Sequence, residues 1–295
     1  MVRYIYEPFF MMYFSLVLQE MNPILRTVFL VFFFLGMFLV VFSRLWVFAE
    51  QQFAERIHRP FFLYPIILRK DLKPNEIAIL EAEFSFYTSL TTKQRKRFRH
   101  RLSKLKEEFL FHTREDLELT DEMRVLVTAT AVMITFGFRD YSFPNLENIV
   151  LHPGPYHSEL GGDLHKGEYS PAYKTLVFSW RDFLNGYDIG NDNLNLGIHE
   201  LSHVLHIKCH FSSDISSQIY NEGFQSLKAF LKSHEELRQN LVQTSYFRAY
   251  AFNNEVEFIA VLIECYFETP TEFQQRFPEI YNYVERMLSF RKYRN

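Results

Sequence analysis

Cysteine is nearly missing from this chain of 295 residues. Only Cys209 and Cys265 occur, and they form no CxxC pair. That leaves a disulfide framework and a cysteine-ligated metal site without support. The scarcity fits a reducing compartment. Positive charge is not in excess either. Lys and Arg number 32 against 35 Asp and Glu, a formal net charge of -3, so direct nucleic-acid binding is not expected. No internal repeat and no low-complexity tail is seen. What the chain has instead is aromatic bulk. Phe, Trp and Tyr make up 18% of it, and 33 residues are Phe. Such a chain is heavily buried or membrane-attached rather than disordered.

Charge is absent altogether from TVFLVFFFLGMFLVVFS, residues 27–43, between Arg26 and Arg44. A helix needs roughly 20 apolar residues to cross a bilayer. Extension through Leu45, Trp46 and Val47 reaches that length, because Arg44 can snorkel and Trp46 suits the interface. Residues 27–47 are therefore read as a transmembrane helix. The segment starts late and no small-x-small site follows, unlike a cleaved signal peptide. Upstream, FFMMYFSLVL (residues 9–18) is too short to span. After the span come Arg44, Arg56, Arg59, Arg69 and Lys70; before it come only Arg3 and Arg26. The positive-inside rule then places the C-terminal part in the cytoplasm.

Residues 1–48 thus form a membrane segment and 49–72 a linker, with prolines at 60, 65 and 74 in and just beyond it. Residues 73–295 read as an α+β domain, mostly helical with a small sheet. Helical spacing marks residues 75–89. Thr91 and Gln94 form a capping-box pattern before a long helix to about Phe111. Its run KQRKRFRHR is read as a solvated face beside the membrane. Residues 121–137 are a helix with a nearly continuous apolar surface. NIVLHP (148–153) and YKTLVFSW (173–180) read as strands. The second is taken as an edge that could pair with an extended peptide. From Asn193 onward the chain is almost wholly helical. Asn193 is the expected N-cap of the next helix, and Thr269, with Pro270 and Glu272, that of a late one.

The chemistry centres on GIHELSHVLH, residues 197–206. His199 and His203 are four apart, so both imidazoles share one helix face and can hold one zinc ion. Glu200 can take a proton from a water that the ion has acidified. A catalytic zinc wants a third protein ligand and one open position. The place to look is YAFNNEVEFIAVLIECYFE, residues 250–268, an apolar helix that contains Glu257 and Glu264 on one face. Buried carboxylates need a cation or donors. The residues alone leave Glu257 and Glu264 nearly equal as ligands, with Glu222 and Glu255 behind. Asn254 and Glu257 also fit a capping box.

HELSHVLH followed by Y-x6-E-F-I-A resembles the Mlc titration factor A family of zinc-dependent peptidases. Its Tyr-to-Glu arrangement is similar to that of the anthrax lethal factor catalytic domain. The resemblance covers roughly residues 75–290, including VLHPGPYHSE, GEYS with LVFSW, and FETPTEFQQRFPEIY. It implies a zincin-like domain and a gluzincin-type, aminopeptidase-like peptidase in a bacterial setting. It also implies His199, His203 and Glu257 as ligands of one zinc ion and Glu200 as the base. Tyr250 would face the metal, and Glu264 would orient a ligand histidine. His206 departs from the family, which carries Asp there. The family's namesake role implies another reading: capture of a transcriptional repressor, with the zinc structural. The partners expected are a peptide or protein substrate, the membrane through the N-terminal span, and a transcriptional regulator.

Overall fold

The computed structural model describes residues 19, 21–63, 70–157, 164–188, 193–244 and 246–290. The stretch 9–18 lies outside them. The chain divides into two compact units, Met1–Gln52 and Phe53–Asn295.

Most of the first unit is helix α1, Pro23–Ile57. Asn22 starts it by accepting a hydrogen bond from the Ile24 amide at 2.9 Å. Phe29 and Phe33 stack one turn apart, as do Phe38 and Phe42. The hydroxyls of Thr27 and Ser43 donate to the helix's own carbonyls, of Pro23 and Val40. No hydroxyl there requires water, which suits an apolar solvent. Among the described residues this is the one helix long and apolar enough to cross a membrane. It continues to Ile57, so the start of the expected linker is helical; residues 64–69 of that linker lie outside the described ones.

The second unit is α+β. Helices α2 (Pro74–Glu83), α3 (Ser85–Ser89) and α4 (Thr92–Glu108) come first. The Thr91–Gln94 capping box forms as expected: the Gln94 amide donates to Thr91 Oγ1, and the Thr91 amide donates to Gln94 Oε1 at 2.9 Å. Helix α4 stops at Glu108, short of Phe111, because Leu110–Thr113 becomes strand β1. Helix α5, Asp121–Ile134, follows, capped by Thr120 and buried nearly all round.

Strands β2 (Asn148–His152), β3 (Tyr156–His157), β4 (Leu164–His165), β5 (Gly167–Ser170) and β6 (Thr175–Ser179) come next. The main sheet has the order β1-β2-β6-β5. Strands β1, β2 and β6 are parallel, and β5 runs antiparallel to β6. This corrects the reading of residues 173–180 as an edge: β6 is paired on both sides, and β5 takes the edge. Leu176 and Phe178 are fully buried on the face toward the helices.

Helices α6 (Trp180–Asp188), α7 (Leu196–Phe211), α8 (Ile215–Ser233) and α9 (Glu235–Gln243) follow the sheet. A 3-10 turn at Ala249–Phe252 leads into α10 (Glu255–Glu268), then α11 (Pro270–Arg276) and α12 (Pro278–Leu288). One expected cap shifts, and another, Thr269, holds its place without a side-chain bond. The N-cap of α7 is Asn195, whose Oδ1 accepts from the Ile198 amide at 2.9 Å. Asn193 instead sits at φ 58 and accepts from the Thr269 hydroxyl at 2.8 Å. Thr269 is thereby spent on Asn193 and makes no side-chain cap for α11. Asn254 does cap α10, accepting from the amides of Val256 and Glu257.

One cation of the basic run is structural. Arg101 is 3% exposed and donates to the carbonyls of Thr135, Phe136 and Phe138, where α5 has ended. Replacement Arg101→Met strands those acceptors in the core, a cost of about 2–4 kcal/mol. Thermal unfolding of the full chain in detergent is expected to show a lower midpoint for Arg101→Met and little change for exposed Lys93→Met.

Candidate metal centre

Helix α7 brings its motif into the core because its apolar residues surround it: Ile198, Leu201, Val204 and Leu205 are all buried. Helix α10 packs beside it and carries both glutamates. The two differ in position. Glu257 Oε2 lies 3.0 Å from His199 Nε2, and Glu257 Oε1 lies 3.5 Å from His203 Nε2. The two Nε2 atoms are 3.1 Å apart. One donor atom from each of His199, His203 and Glu257 falls within 4.8 Å of the others.

Glu264 meets the opposite ring nitrogen. Its Oε1 is 2.5 Å from His199 Nδ1 and accepts from the Arg248 guanidinium at 2.5 Å. Its Oε2 accepts from the Asn195 amide at 3.2 Å. With Nδ1–H donating to Glu264, His199 Nε2 points to the cluster, as in carboxylate–histidine–metal triads. A cation that displaced the Nε2 proton of His199 would meet three converging donor atoms. A divalent cation is the group that such a donor set fits, and two imidazoles with one carboxylate suit zinc.

Electrostatics agree. Burial would lower His199, but Glu257 and Glu264 outweigh it and raise its pKa to about 10. Burial would raise Glu257, yet the histidines beside it hold it below its ordinary value. Thus the carboxylates draw positive charge to this place. Burial also pushes Glu200 up to about 7; His199 pulls it down, while Glu257, Glu264 and Glu168 add to the rise. A carboxyl tuned near neutrality can take a proton and give it back.

The other expected residues fall as follows. Tyr250 is 51% exposed, its ring centroid 6.2 Å from that of His199, and its hydroxyl lies beside Glu257. Glu255 pairs with Lys228 at 2.6 Å, and neither Glu255 nor Glu222 belongs to the cluster. His206 turns to the Tyr220 hydroxyl at 3.2 Å and packs edge-on to Phe224. His203 Nδ1 is buried and has no hydrogen-bond partner among the described residues.

Two contributors were not foreseen. Arg248 lies 16 residues from Glu264 on a different segment, and no local pattern marks it. Gly167 of β5 abuts the base: a Cβ there would lie 2.7 Å from Glu200 Cγ. A glycine where a strand meets another chain is the one available signal.

A helix offering two histidines and a carboxylate to a glutamate on its neighbour places the chain among the metallopeptidases. More narrowly, residues 56–289 match the family model described as glucose-regulated metallo-peptidase M90, and the chain belongs to that family. Two relatives are distant. An uncharacterized protein of Synechocystis is 22% identical over 234 residues, covering 75% of this chain and 85% of its own. Mlc titration factor A of Pectobacterium atrosepticum is 23% identical over 207 residues, covering 63% of this chain and 77% of its own. Most of α1 lies before the family match.

Metal content, read by elemental mass spectrometry after dialysis against a graded chelator, separates the two glutamates. Glu257→Ala is expected to lose the ion. Glu264→Gln is expected to retain it about 10–100-fold more weakly. Glu255→Ala is expected to match the parent.

Proposed function

We propose that this chain is a zinc-dependent peptidase of the gluzincin type, held at a bacterial inner membrane by α1 with its catalytic domain in the cytoplasm. The observation that carries the reading is the convergence of His199, His203 and Glu257 beside a buried Glu200 tuned to about 7. Zinc, when bound, acidifies water and polarises a peptide carbonyl. Glu200 takes the water's proton and later hands it to the leaving amine. Tyr250, on the solvent side of the cluster, donates a hydrogen bond to the developing oxyanion. Glu264, itself held by Arg248 and the Asn195 amide, keeps the His199 ring in place.

Strand β5 suits the substrate. Its outer edge is unpaired among the described residues, and it borders Glu200 through Gly167. An extended peptide added there would bring its backbone alongside the base. An aminopeptidase-like preference predicts faster cleavage of peptides with a free amino terminus than of acetylated ones.

A second reading draws on the Pectobacterium relative, whose name says that it titrates Mlc. Under it, this chain holds a transcriptional regulator and hydrolysis is incidental. The same variants separate the two. Glu200→Gln is expected to lower kcat on a cleavable peptide library by about 10²–10⁴-fold with its metal retained. Tyr250→Phe is expected to cost about 10²–10³-fold in kcat with little change in KM. Unchanged turnover in Glu200→Gln would remove the peptidase mechanism. A parent protein that holds zinc yet cleaves nothing would favour the binding role.

A further inference from the structure

The run KQRKRFRHR, residues 93–101, is not one solvated face. Arg101 is buried against three carbonyls. Arg95 donates to the carbonyls of Leu90, at 3.0 Å, and Thr88. Arg99 forms an ion pair with Asp71 at 2.7 Å. That leaves Lys93, Lys96 and Arg97, spaced three and four apart on one side of α4. None of the three has a hydrogen-bond or ion-pair partner among the described residues.

Arg97 also borders a cavity of about 270 Å³. The chain just past α1 supplies its other cation, Arg59, which likewise has no partner among the described residues. The turn is fixed rather than loose. His58 sits at φ 53, and its carbonyl accepts from the Ser289 hydroxyl. Pro60 is buried, and with Phe136 and Phe290 it gives the cavity apolar walls. No carboxylate lines it among the described residues. Two unanswered guanidiniums over an apolar wall are complementary to one chemistry: a phosphate or other anion attached to something greasy.

Chain order narrows the source. The apolar stretch ends near Val47, and α1 continues to Ile57, about 15 Å of further helix. Arg59 therefore stays tethered near the end of the segment proposed to cross the bilayer.

We propose that Arg59 and Arg97 form a binding site for the headgroup of an anionic membrane phospholipid, flanked by Lys93 and Lys96. The proposal takes its choice of lipid from the anchoring proposed above. Carbonate extraction of membranes tests that anchoring separately, so either can fail without the other.

The experiment is native mass spectrometry of the full chain in detergent micelles. It is given equal amounts of phosphatidylglycerol and phosphatidylcholine with matched acyl chains. Retention of phosphatidylglycerol over phosphatidylcholine by about thirtyfold is expected, the scale set by two cations near an anionic surface. The preference should vanish in Arg59→Gln/Arg97→Gln and survive in Arg59→Lys/Arg97→Lys and in Lys232→Gln/Arg238→Gln. Circular dichroism of each variant guards against misfolding. Equal retention of both lipids, or an undiminished preference in Arg59→Gln/Arg97→Gln, overturns the proposal. So does displacement of the lipid by millimolar inorganic phosphate, which would mark a site for the free anion.

Discussion

The Glu264 carboxylate has no exposed surface, and its burial organises the half of the domain that carries the two histidines. A carboxylate removed from water is tolerated only if donors surround it. Three arrive from different places: the His199 ring on α7, the amide of Asn195 at that helix's N-cap, and the Arg248 guanidinium ahead of α10. One charge thus ties α7, α10 and the Tyr250 segment together. It also fixes which nitrogen of His199 faces Glu257. The ring's orientation is therefore set by the fold, with Nδ1 toward Glu264 and Nε2 toward Glu257.

This explains what could and could not be read from the residues. His199 and His203 share a face by helical periodicity alone, and the Asn254 cap and the Thr91–Gln94 box are local patterns that local physics decides. Glu257 and Glu264 stay tied because they are seven apart on the same face of one helix. What separates them is which nitrogen of His199 each meets, and that depends on how α10 packs on α7. Arg248 is invisible for the same reason. Asn193 and Asn195 are chemically equal as caps, and the backbone chooses: Asn195 has φ -92, whereas Asn193 has gone left-handed to meet Thr269.

The sheet shows a second limit. A strand's composition reports how its two faces are buried, not whether its two edges are paired. TLVFS therefore marks a strand without telling edge from centre. The real edge, GEYS, is four half-buried residues with a glycine, and weak alternation hides it. Yet that glycine is what lets β5 approach Glu200. Strand β1 was hidden by its length, four residues directly after a helix whose apolar pattern runs on into it.

Helices α1 and α10 make the last comparison. Both are apolar nearly all round, and by that measure alone both belong in a core. Helix α10 is packed by neighbours, and its two inward carboxylates are answered by histidines and an arginine. The apolar stretch of α1 carries no charge to answer, and none of its most apolar window is buried by protein. Phe29 stacks on Phe33 and Phe38 on Phe42 along the helix, and the hydroxyls of Thr27 and Ser43 bond its own carbonyls. Surface of that kind is unfavourable in water in proportion to its area and neutral in hydrocarbon. The exposure of that apolar window, unlike the packed end of the helix at Ala54, is the physical ground on which the proposed anchoring rests. Whether a uniformly apolar helix becomes core or anchor is decided by whether its polar atoms need neighbours.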